Sequence, residues 1–339
     1  MQHLHRSEDV RLASGHHLAC VDTAYVTRGR LNADRTNAVL VMHGYTTGPS
    51  MLDAGSNAAE GSWSGLVGPG AAIDTERFFV ICPNMLGSSY GSTGPGSLDP
   101  ATGRTYGASF PDITVEDIVD AQARLLDSLG IARLHAAIGP SLGAMQAFSW
   151  GVRYPERVAR VVAAVGAPHL PADAVSARAM LDRLNAEAAW TDGRYARDPK
   201  SMQPFLTRMR VQTLKFYGMD AQLSADFPDA ADREREIERL AAIWAGEFDA
   251  GSLLVLARAV GPFDVRGQLQ RMSAPLLFVL SRSDPVFSPA LAAELTPIFD
   301  AAGLDWRYLE LDSDKGHLAS GADSHLWAAD LARFMNEDL

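Results

Sequence analysis

The sequence predicts an α/β fold: a mostly parallel central sheet flanked by helices on both faces and interrupted by a long helical insertion. Three observations carry this. Short runs that are apolar on both faces (VLVM, FFVI, RVVAAV, LLFVL) read as central strands buried on both sides. Segments of helical period alternate with them, as in a doubly wound sheet. Residues 170–265 then carry helical patterns with charged faces and no clear strand.

Taken in chain order, strands are expected at 18–26, 38–42, 78–81, 134–138, 158–165, 275–280 and 306–311. A helix is expected at 114–129, because Thr114 with Asp117 makes a capping-box-like start and Ile118, Ala121, Leu125 and Leu129 share one face. Segments 143–154, 289–302 and 324–335 also read as helices. Residues 84–112 are rich in Gly, Pro, Ser and Thr, and a loop that long in a compact domain is either functional or disordered. The insertion has two readings, a solvated helical decoration or a lid over a ligand site. The expected division is a core of 1–169 and 266–339 with the insertion at 170–265.

Composition limits the function. The chain has 339 residues, 47% hydrophobic and 21% charged, which fits a soluble globular protein. Its 30 Lys+Arg against 41 Asp+Glu give a net charge of −11, which disfavours nucleic acid and anionic membranes as partners. Two cysteines, Cys20 and Cys82, are too few for a disulfide framework or a cysteine-built metal site. The start MQHLHRSEDV has no signal-peptide core, and no run approaches membrane-spanning length, so a cytoplasmic protein is expected. No His-Glu-x-x-His, Walker loop or strand-linked G-x-G-x-x-G is present, and neither a metal nor a bound cofactor is expected.

Gly139-Pro140-Ser141-Leu142-Gly143 follows a strand and opens a helix, the context of a G-x-S-x-G nucleophile elbow. The sharp turn needs small residues on either side of the serine. It also aims the Leu142 amide toward a developing oxyanion. Gly87-Ser88-Ser89-Tyr90-Gly91 matches the same pattern, but Ser89 lies in a Gly-punctuated loop with no helix behind it.

A serine needs a base, and the base needs a third group to hold its tautomer. In this fold they follow in the order Ser, Asp or Glu, His. His317 sits on the loop after the last strand. His169 precedes any suitable acid, and His325 falls within a C-terminal amphipathic helix. Asp284 follows the strand PLLFVL on the loop SRSDPVF, at the carboxyl end of a strand, where sites in open α/β sheets gather. Asp312 and Asp314 lie so near His317 in sequence that they read as loop residues. The set is Ser141, Asp284 and His317. A second oxyanion donor is expected from His43-Gly44-Tyr45-Thr46-Thr47-Gly48, where Tyr45 or a neighbour offers its N–H.

With these residues in place, the chain resembles the homoserine O-acetyltransferase family of the α/β-hydrolase fold. The matching stretches cover most of the length and include NAVLVMHGYTTG, the Gly-rich loop, IGPSLGAMQAFSWGVRYPERV and FDAGSLLVLARAVGPFDV. The resemblance implies an acyl-serine formed from acetyl- or succinyl-CoA and passed to a hydroxyl, with acyl-CoA as co-substrate. It also implies a homodimer formed through the lid. Related members acylate serine or other alcohols. Two departures stand out. The family places an Arg before the Phe-Asp of the lid motif, for the substrate carboxylate; here it is Glu247. It places an Asp after the base, near the substrate amine; here it is Leu318. A lid tyrosine is replaced by Leu253 or a neighbour. The expectation is therefore serine-based acyl transfer to an acceptor other than homoserine, either water (an esterase) or another alcohol. Homoserine acetylation and a non-catalytic binding protein on the same fold are the alternatives.

Overall fold

A computed structural model describes residues 1–55, 62–171, 176–191, 194–195 and 199–337. Its main sheet has eight strands: β1 (Gln2–Arg11), β2 (His17–Arg28), β3 (Ala38–Val41), β4 (Phe79–Pro83), β5 (Ala136–Pro140), β6 (Val161–Ala164), β7 (Leu276–Ser281) and β8 (Trp306–Leu311). They lie in the order β1-β2-β4-β3-β5-β6-β7-β8. β2 pairs antiparallel with both β1 and β4, and every pairing from β4 to β8 is parallel.

The period of two splits the central strands between two cores. Leu40, Ala137, Val161 and Phe278 face one side, with Phe148 and Phe299. Val39, Val41, Ile138, Val162 and Val279 face the other, with Trp63, Trp327 and Phe334. Both faces are thus covered, which is why these strands read as unbroken apolar runs.

The flanking helices are α1 (Val115–Ser128), α2 (Leu142–Arg153), α8 (Ala290–Ala301), α9 (Ala319–Ala322) and α10 (Ala328–Asn336). The capping box of α1 is reciprocal: the Asp117 N–H donates to Thr114 Oγ1 at 3.2 Å, and the Thr114 N–H to Asp117 Oδ2 at 2.9 Å.

Parts of the structure differ from the sequence expectation or decide between its readings. β1 is unpredicted, because an edge strand needs only one row of backbone partners and only Ser7 and Val10 of its side chains are buried. The helix expected at 324–335 is a 3₁₀ turn, Ser324–Leu326, followed by α10. Trp327 breaks it by turning inward, where its indole donates to the Ser320 carbonyl at 2.9 Å. The loop over 84–112 is tied down: the Thr93 N–H donates to the Asp22 carbonyl and the Asp22 N–H to Thr93 Oγ1, each at 2.8 Å.

The insertion between β6 and β7 contains α3 (Ala177–Asn185), α4 (Gln203–Tyr217), α5 (Met219–Leu223), α6 (Ala230–Ala245) and α7 (Ala250–Val260). It also holds one two-residue strand pair, Trp190–Thr191 with Arg194–Tyr195, where no strand is expected from the sequence. Its ends are pinned together, with the Leu170 N–H on the Phe263 carbonyl at 3.3 Å and the Val265 N–H on the Pro168 carbonyl at 2.9 Å. Val255, Leu256 and Val260 of α7 join the main core, so the insertion packs on the sheet domain.

Candidate active site

The turn from β5 into α2 carries Ser141 at φ 56° and ψ −121°, a left-handed conformation that costs a non-glycine residue about 1–3 kcal/mol. Its surroundings hold it there. The Ser141 N–H donates to the Ala164 carbonyl of β6 at 2.9 Å. A Cβ on Gly139 would lie 2.4 Å from the Met42 carbonyl oxygen, and one on Gly143 2.1 Å from it. One on Gly166 would lie 2.7 Å from the Ser141 carbonyl oxygen. The serine is the N-cap residue of α2, yet its hydroxyl makes no capping bond. It is 6% exposed and lines a cavity of about 330 Å³. Ser89, the rival of the same pattern, instead accepts the Asp249 N–H at 2.9 Å, ahead of α7.

Asp284 and His317 leave the ends of β7 and β8 and meet in the interior. The His317 Nδ1–H donates to Asp284 Oδ2 at 2.8 Å, with both side chains fully buried. An ionised carboxylate only accepts, so this bond puts the proton on Nδ1 and leaves Nε2 as the basic nitrogen. Asp284 Oδ1 accepts the N–H groups of Val286 at 2.8 Å and Phe287 at 3.1 Å, which fixes the carboxylate plane. The Tyr217 ring meets the imidazole edge-on at 4.5 Å, and Phe287 stacks on it at 5.9 Å. The other candidates lie elsewhere. Asp312 pairs with Arg282 at the surface, and Asp314 is exposed. His169 lies 3.5 Å from Glu294 at the foot of the insertion, and His325 is exposed.

The loop after β3 supplies the opposite wall. His43 Nδ1–H donates to the Gly44 carbonyl at 2.9 Å, and His43 Nε2 accepts the Met85 N–H at 3.2 Å. This is a neutral imidazole, and burial pushes its pKa down to about 4. Behind it runs a buried relay. Trp150 Nε1–H donates to Gln122 Oε1 at 2.8 Å, and Gln122 Nε2–H donates to Gln146 Oε1 at 2.6 Å. Gln146 Nε2 then donates to the His43 carbonyl at 3.3 Å and the Leu142 carbonyl at 3.2 Å. The relay ties the loop to α2, so Tyr45 and Leu142 line the cavity together. The Leu142 amide belongs to the first turn of α2, where N–H groups lack intrahelical acceptors. The Tyr45 hydroxyl donates to the Leu253 carbonyl, and burial holds this phenol in its neutral form.

The three pocket candidates separate. Leu253 lines the cavity. Glu247 does not: it is exposed on the turn from α6 to α7, because Phe248 takes the inward position. Leu318 does not line it either. It is 2% exposed and packs among Leu214, Met219, Ile237 and Ala241 of the insertion.

Among the cavity residues that the sequence reading did not single out, Arg210 stands apart by its charge and burial. Arg210 of α4 is 1% exposed, donates to Thr46 Oγ1 at 2.7 Å and lies 4.8 Å from the Trp244 ring centroid. Its signal was positional: it interrupts the apolar stripe Leu206–Arg210–Leu214, where an arginine has no reason to be unless something in the interior holds it. Among the described residues no group of three His, Cys, Asp or Glu side chains could hold a metal ion.

Comparison with known proteins agrees with this architecture. The alpha/beta hydrolase fold family matches residues 37–321. The chain is 34% identical over 331 residues to the homoserine O-acetyltransferase of Geotalea daltonii, covering 91% of this chain and 90% of that one. It is 38% identical over 345 residues to the homoserine O-succinyltransferase of Methylibium petroleiphilum, covering 93% and 88%. The crystal structure of esterase E22 superposes with a TM-score of 0.85 at 25% identity, over 99% of this chain and all of that one. Transferases and an esterase thus share one scaffold with this chain, which is an enzyme of the alpha/beta hydrolase fold and belongs to its homoserine O-acyltransferase-like family.

Proposed function

We propose that the enzyme transfers acyl groups through Ser141, with His317 as the base, Asp284 as its orienting acid, and an acceptor other than homoserine. The buried 2.8 Å bond between His317 Nδ1 and Asp284 Oδ2 carries this reading, because folding alone has no need of a fully enclosed imidazole–carboxylate pair. Ser141 Oγ attacks the acyl carbonyl as His317 Nε2 takes its proton. The backbone N–H groups of Tyr45 and Leu142 receive the oxyanion. The leaving alcohol or thiolate takes the proton from His317, and water or an alcohol then attacks the acyl-serine by the same route in reverse. The acyl donor is an ester or an acyl-CoA, and the insertion acts as the lid.

Met180, Met209, Trp244 and Leu253 of the insertion give the cavity an apolar wall. That wall suits an apolar acyl or alcohol group and favours ester hydrolysis or acylation of a neutral alcohol. Homoserine acetylation is the second reading, and Arg210 favours it by placing a guanidinium in the cavity for a substrate carboxylate.

The test has two parts. A fluorophosphonate probe should label the wild type and not Ser141→Ala; labelling of the variant would move the nucleophile elsewhere. Acetyl-CoA with homoserine should then be compared with a short p-nitrophenyl ester. Turnover of the ester with little O-acetylhomoserine is expected, and rapid saturable acetylation of homoserine would reverse the choice of acceptor.

A further inference from the structure

The loops that carry Asp284 and His317 touch at a second point, and a hydroxyl makes the contact. Ser283 Oγ–H donates to the Ser313 carbonyl at 2.8 Å, and Ser283 Oγ accepts the Gly316 N–H at 2.9 Å. These two partners bracket the start of the His317 loop, and Gly316 is the residue before the imidazole, at φ 57°. Neighbouring residues of one loop thus hold the other twice: Asp284 by the ring and Ser283 by the backbone.

We propose that Ser283 is a positioning residue for the base. The inference rests on the reading of His317 and Asp284 as base and acid. The hydrogen bond at Nδ1 fixes one corner of the imidazole, not the direction of Nε2 by itself. Fixing the backbone on its N-terminal side sets where Nε2 points, and a shift of about 1 Å at a reacting group costs on the order of 100-fold in rate.

The rest of the loop has its own anchors. Ser313 Oγ–H donates to Asp323 Oδ2 at 2.6 Å, and Lys315 Nζ donates to Asp323 Oδ1 at 2.6 Å. On the far side, a Cβ on Gly218 at the end of α4 would lie 2.7 Å from the Lys315 carbonyl oxygen. Ser283 itself is exposed, so removing its hydroxyl hollows no core and leaves these anchors standing. The loss should fall on alignment rather than on folding.

The experiment uses the full chain as wild type, Ser283→Ala, Ser283→Thr and Asp284→Asn. The readouts are kcat and KM on p-nitrophenyl acetate, the melting temperature, and the low-field proton NMR resonance of the His317 Nδ1–H. Ser283→Ala should lower kcat roughly 10-fold at unchanged KM and melting temperature, with the resonance broadened or shifted. Ser283→Thr, which keeps the hydroxyl, should restore both. Wild-type kcat and an unchanged resonance in Ser283→Ala would overturn the proposal. So would a kcat loss that leaves the resonance unmoved, since that describes a structural role only. If Asp284→Asn keeps the wild-type rate and resonance, the base–acid reading itself falls and takes Ser283 with it. If Asp284→Asn fails while Ser283→Ala is normal, Ser283 alone is refuted.

Discussion

Replacing Gly143 with alanine sets helix propensity against the geometry of the proposed oxyanion site. Gly143 is the second residue of α2, and Gly→Ala inside a helix ordinarily stabilises by up to about 1 kcal/mol. Here the new Cβ would stand 2.1 Å from the Met42 carbonyl oxygen and 3.3 Å from that of His43, where real Cβ atoms keep at least 3.0 Å. Both obstacles are backbone, so relief requires the His43–Thr46 loop and the start of α2 to part by roughly 1 Å, a displacement that costs on the order of 100-fold when it falls on reacting geometry. Tyr45 and Leu142, the proposed oxyanion donors, belong to that loop and to the start of α2 respectively. Losing one oxyanion donor costs about 10²–10³ in kcat, or roughly 3–4 kcal/mol of barrier. Gly143→Ala should therefore lower both the melting temperature and the kcat for p-nitrophenyl acetate. Gly151→Ala, later in the same helix, is the control. Its Cβ meets Met272 Sδ at 2.5 Å, the end of a flexible side chain that can move aside. Wild-type kcat/KM in Gly143→Ala, with an equal or higher melting temperature, would refute the assignment of this gap as the oxyanion site.

Four further outcomes rest on the same structure. Asp284→Asn should lower kcat by about 10⁴, because the amide can donate toward Nδ1 and turn the imidazole to the wrong tautomer; a steady-state assay and a melting curve separate this from unfolding. Buried neutral His43 should make stability sensitive to acid. The unfolded chain takes this proton near pH 6.5 and the folded chain only near 4, so stability present above pH 6.5 declines as the pH falls toward 4, by roughly 3 kcal/mol. Urea melts across that range should show the decline, and His43→Gln should flatten it. Glu247→Arg, at an exposed turn, should change stability by less than about 0.5 kcal/mol and leave homoserine turnover unmoved. Leu318→Asp should cost about 2–5 kcal/mol, since it deletes a buried leucine and sets a carboxylate among Leu214, Ile237 and Ala241; a rise in homoserine acetylation from either substitution would return these residues to the pocket.

Most of the sheet was legible because the central strands are buried on both faces, and burial on both faces leaves an unbroken apolar run. β1 was not legible, because an edge strand draws its order from β2 and writes nothing into its own hydrophobic pattern. The motif residues were legible for a related reason. A strand–turn–helix junction at Ser141, and loops just past β7 and β8, are constraints that short stretches of sequence express. Side-chain direction is not such a constraint. Glu247 and Leu318 stand beside Phe248 and His317, but whether each faces the cavity depends on how the insertion packs, which no local pattern records. Arg210 was hidden for the same reason, since its partners Thr46 and Trp244 are 164 and 34 residues away.

Glu247 faces solvent, so its charge cannot repel a carboxylate in the cavity. Arg210 even offers a carboxylate a partner. The ammonium end of homoserine is the harder problem. Among the described residues no Asp or Glu lines the cavity, whose wall is mainly Met, Leu, Val and aromatic side chains, with Arg183, Arg210 and the hydroxyls of Thr46, Ser141, Ser176 and Thr213. Taking an unpaired ammonium out of water into such a wall costs several kcal/mol, and each 1.4 kcal/mol is a factor of about ten in affinity. The guanidinium groups of Arg183 and Arg210 suit only the carboxylate half of a zwitterion. An acceptor or leaving group that is neutral, or that carries only a negative charge, brings no ammonium to be buried without a partner. A homologous series separates these cases in one assay: esters of a neutral alcohol, of a hydroxy acid and of an amino alcohol should be turned over with kcat/KM falling sharply only for the last.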